Sequence, residues 1–81
     1  MKDLVEYIVK SLVDYPDGVD INETSGSSVI ILEISVDSSD IGKVIGKEGH
    51  IANAIRTIVK AAAAKSDKKV TVEILTNDDN E

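Results

Sequence analysis

The chain has 81 residues, a formal net charge of −6, and no cysteine, phenylalanine or tryptophan. This length fits a single domain, and the missing cysteines exclude disulfide bonds and thiolate metal sites. No apolar run approaches the roughly 20 residues of a membrane span, and the charged N-terminal decapeptide MKDLVEYIVK does not suit a signal peptide. We therefore expect a soluble, cytoplasmic protein with an aliphatic core and without a metal or cofactor.

The first half of the sequence predicts one helix followed by two strands. Apolar residues recur at helical spacing from the N-terminus, and Pro16 ends that helix. Residues 19–24 alternate apolar and polar side chains, as in a half-buried strand. Residues 25–27 form a turn before the β-branched segment at residues 29–36. Because this connection is short, the two strands should pair antiparallel.

The next part of the sequence predicts two helices separated by a pair of glycines. The first helix covers residues 41–45 and ends at Gly46. It can be capped by one of three polar side chains, those of Ser38, Ser39 and Asp40. The second helix begins after Gly49, and its alanine run extends it through high helix propensity. Its apolar stripe, the face expected to pack on the core, consists of Ile51, Ala54, Ile55, Ile58, Val59 and Ala62.

A third strand completes the predicted fold. Residues 70–75 alternate, with the apolar side chains of Val70, Val72 and Ile74 directed inward. The order α-β-β-α-α-β predicts an α+β two-layer sandwich, in which a three-stranded sheet carries the helices on one face. We expect a single domain over residues 1–76 and a frayed acidic tail at residues 77–81.

Charge is distributed unevenly along the chain. Residues 1–40 hold two lysines against nine acidic residues, for a net −7, and residues 71–81 hold four acidic residues and no basic one. Residues 41–70 hold seven basic residues against two acidic ones, for a net +5. The positive charge thus collects around the glycine pair. Charge alone leaves open whether these side chains form a binding surface or ordinary solvated helix faces.

The glycine pair has the features of a phosphate contact. Gly46 and Gly49 permit a sharp turn through positive φ, and glycine lets a ligand backbone approach closely. The turn leads directly into the N-terminus of a helix, whose free N–H groups and dipole attract anions. Lys47 adds a positive charge at the tip. Apolar neighbours either fix the two helices on the sheet or line a groove beside the turn; they are Ile41, Val44, Ile45 and Ile51.

Other functional sites find little support in the sequence. A nucleotide P-loop needs four residues between its glycines, followed by Lys and Ser or Thr, whereas three residues separate Gly42 from Gly46 and Glu48 takes the hydroxyl position. The single histidine, His50, cannot build a metal site alone and has no evident nucleophile to activate. Arg56 lies off the apolar stripe and should point outward. We therefore expect a binding protein and not an enzyme.

The segment VIGKEGHIANAI, residues 44–55, resembles the signature of KH domains, in which a V-I-G-x-x-G-x-x-I run joins two helices. The preceding DIGK is also typical of these domains. The element order corresponds to the type II, bacterial version of the KH fold, and the resemblance covers about residues 1–76. A free-standing domain of this length is similar to the small bacterial single-KH proteins of the KhpA family.

This resemblance implies single-stranded RNA binding, with the glycine loop clamping the backbone of about four nucleotides and an adjacent groove reading bases. The residues expected to bind RNA are Lys43, Ile45, Gly46, Lys47, Glu48, Gly49, His50, Ile51 and Arg56. The resemblance also implies a homodimer and a larger KH-containing partner of the KhpB or Jag type. Members of the family are linked to RNA chaperoning and cell elongation.

Two features of this chain depart from the family pattern. Family loops often carry basic residues and no acid, whereas Glu48 follows Lys47 here. At the start of a helix, this carboxylate should stabilise the helix dipole and repel a phosphate. The acidic net charge repels RNA as well. The alternative function is therefore a protein-interaction module with a KH fold and little RNA affinity.

Overall fold

A computed structural model describes residues 1–76, and the acidic tail predicted at residues 77–81 lies outside the described residues. The helices and strands follow the predicted order: α1 Lys2–Leu12, β1 Asp20–Ser25, β2 Val29–Ser35, α2 Ile41–Ile45, α3 His50–Ala62 and β3 Lys69–Ile74. Three single-turn 3₁₀ helices occupy Pro16–Gly18, Ser38–Asp40 and Lys47–Gly49. Within residues 1–76, no helix is long and apolar enough to cross a membrane.

The three strands form one mixed sheet in the order β1-β2-β3. The predicted antiparallel pairing of β1 with β2 is confirmed, with Ile21 opposite Ile34. The chain then crosses over the sheet through α2 and α3, so β3 returns parallel to β2, with Val72 opposite Leu32. β3 therefore lies at one edge of the sheet, beside α3.

The core lies between the sheet and the helices, which confirms the predicted α+β two-layer sandwich. Val5 and Val9 of α1 are fully buried, as are Leu32 and Ile34 of β2. The rest of the buried cluster is equally aliphatic and comprises Ile21, Val36, Val44, Ile55, Val59, Ala63, Val70 and Val72. Because this small core lacks aromatic side chains, its stability depends on close packing of branched aliphatic residues.

The orientation of α3 differs from the predicted apolar stripe. The residues of this segment that pack on the sheet are Ala52, Ile55, Val59 and Ala63. Ala54, Ile58 and Ala62 were expected in the stripe but are exposed, and Ile58 is 44% accessible. Apolar residues occupy both flanks of this helix, so periodicity alone could not select the one that meets the sheet. The helix also ends at Ala62 rather than continuing through the alanine run, because a turn follows in which the Ser66 amide donates to the Ala63 carbonyl at 2.8 Å.

The start of α2 is held differently from the predicted cap. Asp40, one of the three expected residues, occupies the N-cap position of α2 but makes no side-chain hydrogen bond to its first turn, whereas Asp37 caps the preceding 3₁₀ helix by accepting from the Ser39 amide at 3.0 Å. Asp40 is fully buried, and its carboxylate accepts the amides of Asp14 at 3.2 Å and Tyr15 at 3.0 Å. These amides follow the end of α1 and need an acceptor in the interior. Asp40 thus connects the end of α1 to the start of α2.

Candidate functional site

The glycine loop, residues 46–49, joins α2 to α3 through a strained backbone. Gly46 has φ 77° and ψ 175°, and Gly49 has φ 76° and ψ 11°. The Gly46 amide donates to the Gly42 carbonyl at 2.8 Å and so closes α2. The first conformation is almost restricted to glycine, and the second is left-handed. The prediction that both positions need the freedom of glycine is confirmed.

The two glycines nevertheless differ in their surroundings. A Cβ atom at Gly46 would lie 2.5 Å from Cγ1 of Ile51, whereas a Cβ atom at Gly49 would meet nothing within 4 Å. Ile51 is half-buried and packs against the core. Gly46 therefore allows the loop to close over Ile51, while Gly49 leaves open space at the start of α3.

Glu48 lies within the loop and not in the helix, so its predicted placement at the helix start is wrong. Its φ of 56° makes it the only non-glycine residue with positive φ in the part of the chain that the structure describes. Its Oε1 atom lies 3.5 Å from Nε2 of His50, and both side chains are largely exposed. Lys47 is also exposed, and no carboxylate of residues 1–76 lies within salt-bridge distance of it.

Lys43 is directed toward the end of α1. Its Nζ atom lies 3.2 Å from Oδ2 of Asp14 and 3.7 Å from Oδ1 of Asp40. The hydrogen bond to Asp14 is the main reason why the pKa of Lys43 is raised above its ordinary value. The side chain is therefore cationic but already paired within the molecule. The half-buried Ile45 follows it at the end of α2.

Arg56 does not point outward, which corrects the prediction from the sequence. It is half-buried, its Nε atom donates to the Val72 carbonyl at 3.3 Å, and its Nη1 atom donates to Oδ1 of Asn53 at 3.2 Å. The carbonyl belongs to the edge strand β3, which offers unpaired backbone groups to its neighbour. The guanidinium group can bridge α3 and β3 because it reaches this edge from the flank of the helix.

A cleft of about 140 Å³ opens between α3 and β3 beside this bridge. It is lined by Arg56, Lys60, Lys69, Val70, Thr71 and Val72. Three cations thus meet an apolar floor, and within residues 1–76 none of them has a carboxylate within salt-bridge distance. Lys60, Lys69 and Thr71 were not among the site residues predicted from the sequence. The net positive charge of residues 41–70 was a signal for the two lysines, whereas no sequence signal indicated Thr71.

The predicted site residues therefore fall into two groups. The loop group follows one continuous segment from Lys43 through the glycine loop to Ile51, and it is joined to the end of α1 by the Asp14–Lys43 pair. Arg56 belongs to the cleft, six residues, or roughly 9 Å along the helix axis, beyond the first residue of α3. Among residues 1–76, no three side chains of the His, Cys, Asp and Glu types converge to hold a metal ion.

Known proteins are similar to this chain over nearly its whole length. Residues 2–74 match the family described as KhpA/KhpB, KH domain. The chain is 63% identical over 75 residues to the RNA-binding protein KhpA of Clostridium perfringens, which spans 93% of this chain and all of that protein. It is 59% identical over the same length and coverage to the RNA-binding protein KhpA of Clostridium acetobutylicum.

A more distant relative preserves the likeness. The RNA-binding protein KhpA of Borreliella burgdorferi is 52% identical over 73 residues, which cover 90% of this chain and 89% of that protein. No solved structure matches the chain at a significant level. The relatives are named for binding RNA and not for catalysis, in agreement with the expectation that this chain is not an enzyme. On this likeness over nearly its full length, the chain belongs to the KhpA/KhpB KH-domain family.

Proposed function

We propose that the chain binds single-stranded RNA across the glycine loop and the cleft between α3 and β3. The observation that carries this proposal is the juxtaposition of two positive-φ glycines at a helix N-terminus with a cleft that holds three cations and no carboxylate. The names of the relatives support the same ligand. The RNA backbone follows the loop, and its bases enter the cleft.

The loop contributes a phosphate site built from backbone groups. α3 begins at His50 and receives no side-chain cap; the His50 amide donates to the Lys47 carbonyl, so an anion would meet the amides of the residues that follow it. Gly49 leaves open space above these amides. Lys47 adds an exposed ammonium group beside them, and the exposed His50 imidazole lies at the start of the helix. A phosphate seated here therefore contacts the loop without displacing packed atoms.

The cleft contributes hydrogen-bonding groups and positive charge for the nucleotides that follow. The amides of Lys69 and Leu75 donate to the Ser28 and Ile34 carbonyls, so the alternate residues of β3 direct their backbone groups to the open edge. These residues are Val70, Val72 and Ile74, of which Val72 already accepts from Arg56 through its carbonyl. A base can pair with such edge groups and contact the apolar floor. Arg56, Lys60 and Lys69 neutralise the accompanying phosphates.

A homodimer and a larger KH-containing partner of the KhpB or Jag type belong to the same proposal. The exposed apolar residues Ala54, Ile58 and Ala62 give α3 an uncovered flank that supports self-association. Two joined copies would raise the affinity for one RNA strand through effective concentration. A cytoplasmic location and roles in RNA chaperoning and cell elongation are expectations from the family resemblance.

The second candidate function is a protein-interaction module with little RNA affinity. It is favoured by the carboxylates that lie close to the basic side chains on both sides of the glycine loop. Lys43 pairs with Asp14, and His50 lies beside Glu48. In that case the net charge of −6 would keep RNA away, and the fold would serve as a scaffold for a partner protein.

A salt titration separates the two functions. Binding to a fluorescein-labelled single-stranded RNA is measured by anisotropy between low and physiological salt. Phosphate binding predicts that the logarithm of the association constant falls linearly with the logarithm of the salt concentration, with a slope of about −0.7 for each neutralised phosphate. Lys2→Gln, which removes a cation from α1, is the matched control and should leave the slope unchanged. Absence of binding at low salt would favour the interaction module.

A further inference from the structure

Lys43, one of the cations expected to bind RNA, forms an ion pair with Asp14, an acidic residue that follows a different helix. Lys43 lies on α2, three residues or roughly 5 Å before Gly46 along the helix. Its Nζ atom lies 3.2 Å from Oδ2 of Asp14, which follows α1. The contact therefore joins the segment that leads into the glycine loop to a part of the chain with no expected role in binding.

The two carboxylates beside Lys43 have different roles. Asp40 is fully buried, and its oxygens accept the amides of Asp14 and Tyr15, so it cannot turn away without leaving these amides unpaired. The Asp14 side chain is 67% exposed and the Lys43 side chain is 45% exposed. Within residues 1–76 the Asp14 carboxylate has no other cationic partner. Only the Asp14 contact can open at little cost to the fold.

An exposed ion pair of this kind is weak and easily exchanged. Water and salt screen both charges, and the side chains lose conformational freedom when they pair. A phosphate offers Lys43 an equivalent negative partner in the same exposed position. The hydrogen bond to Asp14 raises the pKa of Lys43, and a phosphate is also an anionic acceptor that favours the charged form, so the ammonium group keeps its proton when it changes partners. The Asp14 carboxylate and an RNA phosphate therefore compete for one ammonium group.

We infer that Asp14 limits the RNA affinity of this protein by acting as an intramolecular competitor of the phosphate backbone. RNA binding moves Lys43 from the Asp14 carboxylate to a phosphate of the strand that crosses the loop. This inference rests on the proposed function, because it needs RNA at the loop. It assigns Asp14, a residue that touches no ligand, the role of setting affinity through Lys43.

The competition has a signature in the salt dependence. When Lys43 binds a phosphate in the wild type, the RNA releases a counterion but the freed Asp14 carboxylate attracts a cation from solution. The second change offsets part of the first. Without the carboxylate, only the release remains, so the slope of the salt titration should become steeper, by less than the value of about 0.7 that one phosphate contributes.

A double-mutant cycle tests the inference with Asp14→Asn, Lys43→Gln and their combination. Asp17→Asn is the matched control, because it removes an equal exposed charge nearby that has no cation within salt-bridge distance in residues 1–76. Anisotropy with the labelled RNA at low salt should show binding up to about fivefold tighter for Asp14→Asn. Lys43→Gln should bind more weakly. Melting curves verify that all variants are folded, since the Asp14 amide still donates to Asp40.

The outcomes separate this inference from the proposed function. If Asp14→Asn acts through Lys43, its advantage in the Lys43→Gln background falls to that of Asp17→Asn, and its steeper salt slope disappears. An advantage that persists in that background, or that merely equals the effect of Asp17→Asn, shows a general charge effect and overturns the inference alone. If neither the wild type nor Asp14→Asn binds RNA at low salt, both the proposed function and the inference are wrong.

Discussion

The glycine loop and the cleft lie at opposite extremes of backbone regularity and charge. The loop holds three residues with positive φ, Gly46, Glu48 and Gly49, within four residues of the chain. The cleft is built from a regular helix and a regular strand, and its three cations face no carboxylate in residues 1–76. The loop therefore contributes an unusual backbone conformation to the proposed RNA site, and the cleft contributes positive charge.

This division explains how an acidic chain can present a surface for RNA. In the loop group, Lys43 and His50 lie beside carboxylates, which leaves Lys47 as the exposed cation without such a partner in the described residues. In the cleft, no carboxylate of residues 1–76 lies within salt-bridge distance of the three cations. Net charge is therefore a poor guide to binding at the cleft, because none of these cations is paired with a carboxylate in the described residues.

The largest expected effect concerns the shape of the loop at Gly46. Gly46→Ala introduces a Cβ atom 2.5 Å from Ile51 and forces a non-glycine residue into a glycine-only conformation. We expect the free energy of unfolding to fall by about 2–4 kcal/mol, with loss of RNA binding. Urea melts measure the first effect, and anisotropy measures the second.

Gly49→Ala is the matched control for this change. It shares the positive φ but meets no neighbour within 4 Å, so it should cost only about 1–2 kcal/mol. Gly49→Asn should cost less, because asparagine tolerates the left-handed region. Equal destabilisation by Gly46→Ala and Gly49→Ala would show that contact with Ile51 does not distinguish the two glycines.

The second effect tests the charge that the loop retains. Joint replacement of Lys47 and Glu48 by aspartate should lower RNA affinity by more than about tenfold at low salt, since a phosphate then meets two carboxylates. The fold should be unchanged because both positions are exposed, and aspartate tolerates the left-handed conformation of Glu48.

Lys2→Asp on α1 is the control for this double variant, because it alters the net charge by the same amount far along the chain from the loop. It should cost little affinity. If the two variants lose affinity equally while their circular dichroism spectra match the wild type, the loop has no specific phosphate contact.

The third effect examines the cleft through Arg56. Arg56→Gln should weaken RNA binding severalfold and reduce the salt slope by about 0.7, the amount expected for one phosphate contact. Arg56→Lys keeps the charge but loses the planar group that reaches both Val72 and Asn53. It should retain the slope and lose part of the affinity. An unchanged slope in Arg56→Gln would mean that the guanidinium group only bridges α3 and β3.

The sequence predicted the features that local chemistry determines. Element order, the end of α2 at Gly46 and the positive φ of both glycines follow from patterns within a few residues, and the structure agrees with each. The family motif suggested RNA as the ligand of the loop but gave no geometry for it. These predictions succeeded for one reason: the positions of the elements and the glycine conformations depend on residues that are close together in the sequence.

The failures concern residues whose environment is set by tertiary contacts. Arg56 was expected in solvent because its helical position is off the stripe, but the edge of β3 supplies an acceptor that the sequence did not place there. Asp40 was expected to serve its own helix, but the end of α1 brings two unpaired amides to it. The face of α3 that meets the sheet was likewise undetermined, since both flanks are apolar.

The smallest expected effect separates charge from shape at Glu48. Glu48→Gln removes the carboxylate beside the proposed phosphate position and keeps the side-chain volume. RNA affinity should rise by about twofold to fivefold at low salt and by less at physiological salt, because an exposed charge is screened within about 8–10 Å. Stability should hardly change, since Glu48 lies outside α3 and makes no cap to it.

Glu48→Gly is the companion variant that also relieves the positive φ of this residue. It removes the same charge, so its affinity should rise as much as that of Glu48→Gln, but its free energy of unfolding should increase by up to about 1 kcal/mol. Both variants are measured by anisotropy with the labelled RNA and by urea melts. A fall in affinity for Glu48→Gln would mean that the carboxylate makes a favourable contact with a base or a ribose hydroxyl. The phosphate would then have to lie away from Glu48, on the side of Lys47 and the first amides of α3.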